Sequence, residues 1–212
     1  LGSITDMLTS IRYNVFDNKR YRWEELMAAI KDNFEGHDQL QYDLVYNTPK
    51  YGNDDDYVDE SSVRVFEIFY DAVNGRPTPR RGVHRINMLP TTSHVYFGSV
   101  IGATPDGRTA YVPLSEGISP FQGVDRLGPT AVIKSASKID HLKTGGTLLN
   151  QKFSPQFFED EESYSKLTAL IRSYFRLNGH HIQFNVVNAD TLKEAQKNPE
   201  LYRDLIVRVA GY

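Results

Sequence analysis

Apolar residues change from helical spacing to strand spacing along the second half of the chain, and this change limits the folds that the sequence can adopt. Residues 161–177 repeat apolar side chains along one helix face, whereas residues 181–188 alternate polar and apolar side chains. The β-rich run at 205–209 predicts a further strand. A chain in which helices and strands alternate in this way is expected to form an α/β fold.

The rest of the chain divides into further helices and strands and two irregular segments. The basic, proline-rich residues 74–90 and the Gly-, Pro- and Ser-rich residues 103–128 are predicted to be loops, with a turn at 105–107. Helices are predicted at 21–34, 58–73, 129–142 and 191–198, and strands at 94–102 and 147–153. Thr191 and Glu194 stand at capping-box spacing in the last of these helices. The inward face of the helix at 161–177 is predicted to consist of Tyr164, Leu167, Leu170, Ile171, Tyr174 and Phe175.

Three consecutive aspartates, Asp54, Asp55 and Asp56, precede the helix at 58–73. A calcium loop of the EF-hand type would need alternating ligands and a distal glutamate, and this spacing provides neither. Aspartate at the start of a helix accepts hydrogen bonds from free backbone N–H groups and interacts favourably with the helix dipole. We therefore predict an acidic turn that caps the next helix, not a metal site.

The composition excludes several classes of function. The chain has 212 residues, of which 40% are hydrophobic and 24% charged, and its net charge is −3. These values are ordinary for a soluble globular protein and give no electrostatic case for binding nucleic acid or an anionic membrane. No apolar run approaches the length that spans a bilayer. A cytoplasmic location is expected, with a bacterial microcompartment as the alternative.

The chain contains no cysteine. This absence excludes disulfides, thiolate ligands to an iron–sulfur cluster and a cysteine nucleophile within these residues. Other common site motifs also fail. Gly145-Gly146-Thr147 precedes a strand and lacks the lysine of a phosphate-binding loop, and His180 and His181 project to opposite faces of a strand. Ser93, His94 and Asp106 do not form the motif of a nucleophile elbow.

The last five residues, Arg208-Val209-Ala210-Gly211-Tyr212, follow the β-rich run Leu205-Ile206-Val207 and suggest a different chemistry. A glycine at this place can simply end a strand. Together with residues 179–187, however, the segment resembles the radical-bearing segment of the glycyl radical enzymes. The resemblance extends over essentially the whole chain, in the motifs at 88–98, 103–108, 113–120, 128–135 and 144–153. It is strongest with the branch of dehydratases and lyases that act on glycerol, diols, hydroxyproline, choline and isethionate.

The chemistry of a backbone radical requires glycine. Loss of one Cα hydrogen leaves a carbon between an amide nitrogen, which donates electron density, and a carbonyl, which withdraws it, so the spin is delocalised. The carbon must become planar, and a side chain would crowd that geometry. The radical must also be kept from oxygen and water. We therefore predict that Gly211 stores the radical in a buried loop.

The resemblance implies a fold and a second site residue. It implies the second half of a ten-stranded barrel of two five-stranded halves, with helices outside and the glycyl radical loop inside. The corresponding division is a helical outer segment at 1–90 and half-barrel strands and helices at 91–212, both parts of one larger domain. Thr91 matches a position that approaches substrate in some members of the family. No metal and no organic cofactor is expected to bind this chain.

The resemblance also implies a reaction and its partners. A radical S-adenosylmethionine activating enzyme removes a hydrogen atom from the glycine, the glycyl radical oxidises a cysteine, and the thiyl abstracts hydrogen from a small polar substrate that then loses water, an amine or sulfite. That cysteine is missing here, so we expect a C-terminal portion of a longer, homodimeric, anaerobic lyase, inactive by itself. The alternative is a stand-alone glycyl radical subunit that repairs a larger enzyme.

Overall fold

The computed structural model describes residues 1–90 and 92–203. Its α-helices are α1 Gly2–Ile11, α2 Trp23–Lys31, α3 Asp38–Tyr46, α4 Asp56–Val73, α5 Ser93–Val100, α6 Pro129–Ala136, α7 Glu161–Arg176 and α8 Ala189–Lys197. A π-helical segment, Arg12–Asp17, continues α1, and 3-10 turns lie at His141–Lys143, Pro155–Phe158 and Pro199–Tyr202. The strands are β1 Leu148–Phe153 and β2 His181–Val186.

The two strands pair in parallel, and α7 makes the crossover between them. The register aligns Leu148 with His181 at one end and Phe153 with Val186 at the other. Helix α7 begins at a side-chain cap, because Asp160 accepts a hydrogen bond from Ser163 N–H at 2.7 Å. This strand–helix–strand unit confirms the α/β class. The strand predicted at 205–209 lies outside the described residues, and the ten-stranded barrel and the division at residue 90 stay predictions.

A buried core connects the sheet to helices that precede and follow β1 in the sequence. Side chains of α4, α6, α7 and β1 meet there with three residues from irregular segments, as expected for a parallel sheet, which needs cover on both faces. Its buried members are Phe66, Ile86, Ile118, Val132, Ile133, Ala136, Ile139, Leu149 and Tyr174. A second cluster joins α2 and α3 through Leu26, Ala29, Phe34, Leu40 and Leu44.

The acidic turn before α4 caps the helix as predicted. The Asp55 carboxylate accepts a hydrogen bond from Tyr57 N–H at 3.0 Å. Its neighbours form ion pairs with α6 and the turn after it: Asp54 Oδ2 lies 2.8 Å from Lys134 Nζ, and Asp56 Oδ1 lies 2.7 Å from Lys138 Nζ. The carboxylates therefore connect the start of α4 to α6 and to the turn after it.

Several elements differ from the sequence-based expectation. The strand predicted at 94–102 is wrong, because Ser93–Val100 forms helix α5. The helix predicted at 129–142 ends at Ala136. Helix α8 begins two residues before Thr191, and the Asn188 side chain is its cap, accepting from Thr191 N–H at 2.7 Å. In α7, Tyr174 is buried as predicted, whereas Tyr164 and Phe175 are about half exposed.

Among the described residues, no helix combines the length and the apolar character needed to cross a bilayer. The same residues contain no cluster of three His, Cys, Asp or Glu side chains that could hold a metal ion.

Asp6 is a carboxylate in the interior of the fold. It lies on α1, fully buried, and accepts a hydrogen bond from Tyr51 N–H at 2.8 Å. Burial raises the pKa of Asp6 to about 7, and the nearby positive charge of Lys50 only partly opposes this rise. The buried ammonium of Lys50 donates to Asp106 O at 2.9 Å, so a second acidic residue also lies close by.

We expect stability to fall as the pH rises from about 4 to about 7. In this range the folded protein keeps the proton on Asp6, whereas the unfolded chain releases it. Folding therefore requires uptake of a proton, which becomes less favourable as the pH rises. The shift corresponds to about 4 kcal/mol. In urea unfolding at several pH values, Asp6→Asn should flatten this slope, whereas Asp71→Asn, at an exposed position of α4, should leave it unchanged. An unchanged slope in Asp6→Asn would contradict the assignment.

Candidate active site

The two residues that the sequence assigns to the site lie outside the part of the chain that the structure describes. Gly211 belongs to the stretch 204–212, and Thr91 stands between Pro90 and Thr92, which are both described. The described residues around position 91 show what holds its two flanking segments.

The segment that leads to Pro90 runs beside the start of β1. Met88 N–H donates to Gly146 O at 2.8 Å, and Leu148 N–H donates back to Met88 O at 3.1 Å. Met88 and Thr147 therefore form a short parallel bridge next to the sheet. Position 91 follows three residues after this bridge, so its amino-terminal side is fixed to β1.

The loop 113–120 is bonded to the same strand. Ile118 N–H donates to Leu148 O at 3.0 Å, and the Ser119 hydroxyl accepts from Asn150 N–H at 2.9 Å. Gly117 has φ +50°, and a Cβ at this position would lie 2.5 Å from Leu148 O. A larger residue would therefore collide with the strand backbone. This glycine lets the loop approach β1 as closely as a neighbouring strand would.

Helix α5 begins two residues after position 91 and contacts the loop 113–120. His94 and Glu116 are 4% and 1% exposed, and His94 Nε2 lies 3.8 Å from Glu116 Oε2. The backbone makes a second connection, because Leu114 N–H donates to His94 O at 3.1 Å. Burial of a carboxylate next to an imidazole is unfavourable unless the two are paired, so this contact is a specific feature of the site.

A cavity of about 510 Å³ opens between these segments. Polar groups of Asn87, Ser93, His94 and Ser115 line it together with the apolar side chains of residues 88–90, Phe69, Phe97 and Leu114. Such a mixture of apolar wall and few polar groups is typical of a site for a small molecule.

Arg108 holds the irregular segment that follows α5. Its buried guanidinium donates to five backbone carbonyl oxygens and to the hydroxyl of Thr104, at 3.2 Å from Nε. Because the guanidinium leaves water, its pKa is lowered, although the charge of nearby Asp106 opposes the change. The carbonyls belong to Gly98, Ile101, Gly102, Thr109 and Val112. One side chain thus replaces the regular hydrogen bonds that this segment lacks.

The two histidines at the start of β2 do not act together. His180 and His181 are both exposed, and His180 lies against the ring of His141 at a centroid distance of 6.1 Å. His141 is buried, its Nδ1 lies 2.8 Å from the hydroxyl of Thr147, and burial lowers its pKa, with a further lowering by His180. These contacts describe a buried histidine packed among its neighbouring side chains.

The structure separates the residues of the rejected triad. His94 faces Glu116, whereas the Asp106 carboxylate accepts a hydrogen bond from the Thr104 hydroxyl at 2.6 Å. Sequence reasoning missed Glu116 as a partner of His94. The available signal was an acidic residue between Ser115 and Gly117 in a loop of otherwise small and apolar residues.

Sequence models of two families match consecutive parts of the chain. The model described as pyruvate formate lyase-like matches residues 1–98, and the model described as glycine radical matches residues 114–212, a range that includes Gly211. The chain belongs to the glycyl radical enzyme family. A glycyl radical is the cofactor of this family, so the match accounts for the absence of any common cofactor motif.

Several glycyl radical enzymes are similar to this chain over its whole length. Trans-4-hydroxy-L-proline dehydratase of Clostridioides difficile is 54% identical, and an isethionate sulfite-lyase of Oleidesulfovibrio alaskensis is 42% identical. The crystal structure of the Clostridioides difficile hydroxyproline dehydratase superposes with a TM-score of 0.95, and that of a B12-independent glycerol dehydratase from Clostridium butyricum with 0.92. The chain covers 27% and 26% of the two curated relatives, and 27% of each of these two crystal structures.

Proposed function

We propose that this chain is the radical-storing part of a glycyl radical dehydratase or lyase and that Gly211 carries the radical. The observation that supports the proposal most strongly is the glycine radical family model, which matches 114–212 and therefore includes the Arg-Val-Ala-Gly-Tyr segment. Gly211 is the only glycine after Gly179 in the sequence. The arrangement fits the second half of a barrel, with β1 and β2 as two of its parallel strands.

The described residues supply the framework of the site. The parallel pair of strands, the bridge at Met88 and the loop 113–120 form one hydrogen-bonded unit, and the described segment that leads to Pro90 is attached to it. Rigid support of this kind keeps a reactive centre in a fixed geometry and excludes competing reactions. Thr91 is proposed to approach the substrate from this unit.

The reaction requires groups from outside these 212 residues. A glycyl radical supplies one-electron oxidising power for breaking a C–O, C–N or C–S bond. Hydrogen abstraction from the substrate needs a thiyl, and no cysteine is present in the sequence. We therefore expect no turnover by the chain alone. A radical S-adenosylmethionine enzyme is the proposed activator, a homodimer is the proposed assembly and the cytoplasm is the proposed location.

Trans-4-hydroxy-L-proline is the first substrate to test. The dehydratase named for it is 54% identical to this chain, whereas the isethionate sulfite-lyase is 42% identical and the glycerol dehydratase structure 43%. The names of all three refer to small polar molecules. The mixed polar and apolar lining of the cavity next to Pro90 suits molecules of this class. No observation favours the alternative of a stand-alone repair subunit.

Electron paramagnetic resonance tests the assignment of the radical. The protein that carries this chain would be activated without oxygen by a radical S-adenosylmethionine activating enzyme and S-adenosylmethionine. We expect a doublet that collapses when the protein contains glycine deuterated at Cα, because the splitting arises from the remaining Cα hydrogen. A signal that does not respond to deuterated glycine, or no signal at all, would refute the proposal.

A further inference from the structure

Residues 50–53, in the turn before α4, make a series of contacts with the irregular segment 103–128. Among the described residues, no helix or strand lies between Val100 and Pro129, so this segment lacks the regular hydrogen bonds of such elements. Its buried backbone groups need partners from elsewhere in the fold. The turn before α4 supplies several of them.

The first two residues of the series contact separate loops through their side chains. Lys50 Nζ donates a hydrogen bond to Asp106 O at 2.9 Å. The Tyr51 hydroxyl donates to Ile118 O at 3.1 Å. Lys50 is almost completely buried, and Tyr51 and Ile118 are fully buried. Because a buried carbonyl without a donor is unfavourable, each contact restricts where its loop can lie.

The next two residues continue the series in chain order. Gly52 has φ +94°, and a Cβ at this position would overlap the ring of Pro120. The Asn53 amide nitrogen donates to Val124 O at 2.8 Å. Its Oδ1 accepts from the backbone N–H groups of residues 126–127, at 2.7 Å and 3.1 Å. Each step along the turn therefore meets a later point of the irregular segment.

Tyr51 is fixed from two further sides. Its backbone N–H donates to Oδ1 of Asp6 on α1 at 2.8 Å. Its partner Ile118 is attached to β1, because Ile118 N–H donates to Leu148 O at 3.0 Å. Tyr51 thus takes its position from a helix and from the sheet at once, and its neighbours in the turn are placed relative to it.

The series includes a loop that forms part of the cavity described above. Leu114, Ser115 and Gly117 line this cavity, and they belong to the loop 113–120 that Tyr51 contacts. A change in the position of the turn is therefore expected to alter the shape of the cavity as well as the order of the segment.

We propose that Lys50, Tyr51 and Asn53 are positioning residues that hold the segment 103–128 as one unit, with Tyr51 as the point from which the other two are placed. The inference rests on the proposed function only for its effect on catalysis, because the loop 113–120 lines the cavity that is proposed to take the substrate. Loss of the Tyr51 hydroxyl lets the whole turn shift, so parts of the segment that it does not bond lose order together.

The test compares Tyr51→Phe, Lys50→Met and the double variant in the full-length protein. In Tyr51→Phe, hydrogen exchange should become faster in peptides covering 103–110 and 123–128, although the hydroxyl is bonded to neither. In the peptide 103–110 the double variant should exchange no faster than Lys50→Met, because contacts that act in series are not additive.

The kinetics test the effect on the cavity. With trans-4-hydroxy-L-proline as the substrate, Tyr51→Phe should raise the KM about fivefold, since a displaced loop weakens binding. The kcat and the yield of the glycyl radical should stay close to those of the unmutated protein, because the substitution changes the placement of the loop and none of the groups that form the radical.

Tyr174→Phe is the matched control. Tyr174 is also a fully buried tyrosine whose hydroxyl donates to a backbone carbonyl, His181 O at 3.3 Å, but it connects α7 to β2. The control should lower thermal stability about as much as Tyr51→Phe does. It should change neither the KM nor the exchange of the segment 103–128.

Faster exchange of Tyr51→Phe that is confined to 113–120 would overturn the inference, because the hydroxyl would then hold only the loop that it bonds. Unchanged exchange in this variant, or equal effects in Tyr174→Phe, would overturn it as well. An unchanged KM despite faster exchange would overturn its catalytic part. If the unmutated protein forms no radical, the proposed function fails, and hydrogen exchange alone still decides whether the turn holds the segment.

Discussion

Replacement of Gly211 by alanine is expected to abolish both the glycyl radical signal and turnover in the activated enzyme. A methyl group on the radical carbon opposes the planar geometry over which the spin is delocalised, and it also obstructs the approach of the activating enzyme to the remaining hydrogen. Anaerobic activation followed by electron paramagnetic resonance and a substrate assay would measure the two losses. Binding of trans-4-hydroxy-L-proline to the inactive variant should persist, because the substitution leaves the residues around the cavity unchanged.

Gly102→Ala provides the control for a general effect of removing a glycine. Gly102 follows α5, its φ is not in the left-handed region, and a Cβ added there meets no atom within 4 Å. This variant should retain the radical and the activity of the parent. A Gly211→Ala enzyme that kept signal and activity would show that another residue stores the radical.

Replacement of Arg108 by alanine is expected to lower the free energy of unfolding by about 3–5 kcal/mol. The substitution leaves five carbonyl oxygens in or beside the segment 98–112 without their donor, and a buried acceptor without a partner is unfavourable. The stability of Arg108→Lys should lie between those of the unmutated protein and Arg108→Ala, since a single ammonium cannot reach all the acceptors around a planar guanidinium. Urea unfolding at pH 7 would measure both values.

Arg126 offers a control of the same chemistry at the surface. Its guanidinium also donates to two backbone carbonyls, Val45 O at 3.2 Å and Tyr46 O at 3.1 Å, but the side chain is exposed and water can replace it. Arg126→Ala should therefore reduce stability by less than about 1 kcal/mol. Equal losses in Arg108→Ala and Arg126→Ala would show that burial of the guanidinium is not what matters.

Sequence periodicity predicted the elements whose local and tertiary preferences agree. Helix α4 begins directly after its N-cap residue Asp55 and places Phe66 in the core, as the helical spacing of its apolar residues indicates. The strand at β2 and the crossover helix α7 were also recognised, because the period changes from 3.6 to 2 between them. In each case the local signal and the burial of the apolar face favour the same structure.

Helix α5 shows where this reasoning fails. Residues 94–102 are rich in aromatic and β-branched side chains, which favour strands on average. In the fold their apolar side chains are largely exposed, and Gly98 packs so closely that a Cβ there would lie 2.4 Å from Val112 O. The conformation is set by contacts with residues 108–116, and a propensity scale contains no information about them.

The candidate site was predictable only in part for the same reason. The resemblance predicts Gly211 and Thr91 as site residues, and both stay predictions because they lie outside the described residues, whereas the family models agree with the family assignment. The contact between His94 and Glu116 joins residues from two separate motifs. Proximity of this kind depends on how the loop 113–120 folds back onto β1, which residue types and their spacing do not reveal.

The contacts of Arg108 have a consequence for the order of folding. All five carbonyl partners lie within ten residues of it, so the loop that must close is short and its entropic cost is small. The pairing of β1 with β2, by contrast, has to bring Leu148 to His181 across the whole of α7. We expect pulsed hydrogen exchange during refolding to protect amides of 101–112 before those of the two strands, so that the segment without regular secondary structure becomes ordered before the sheet.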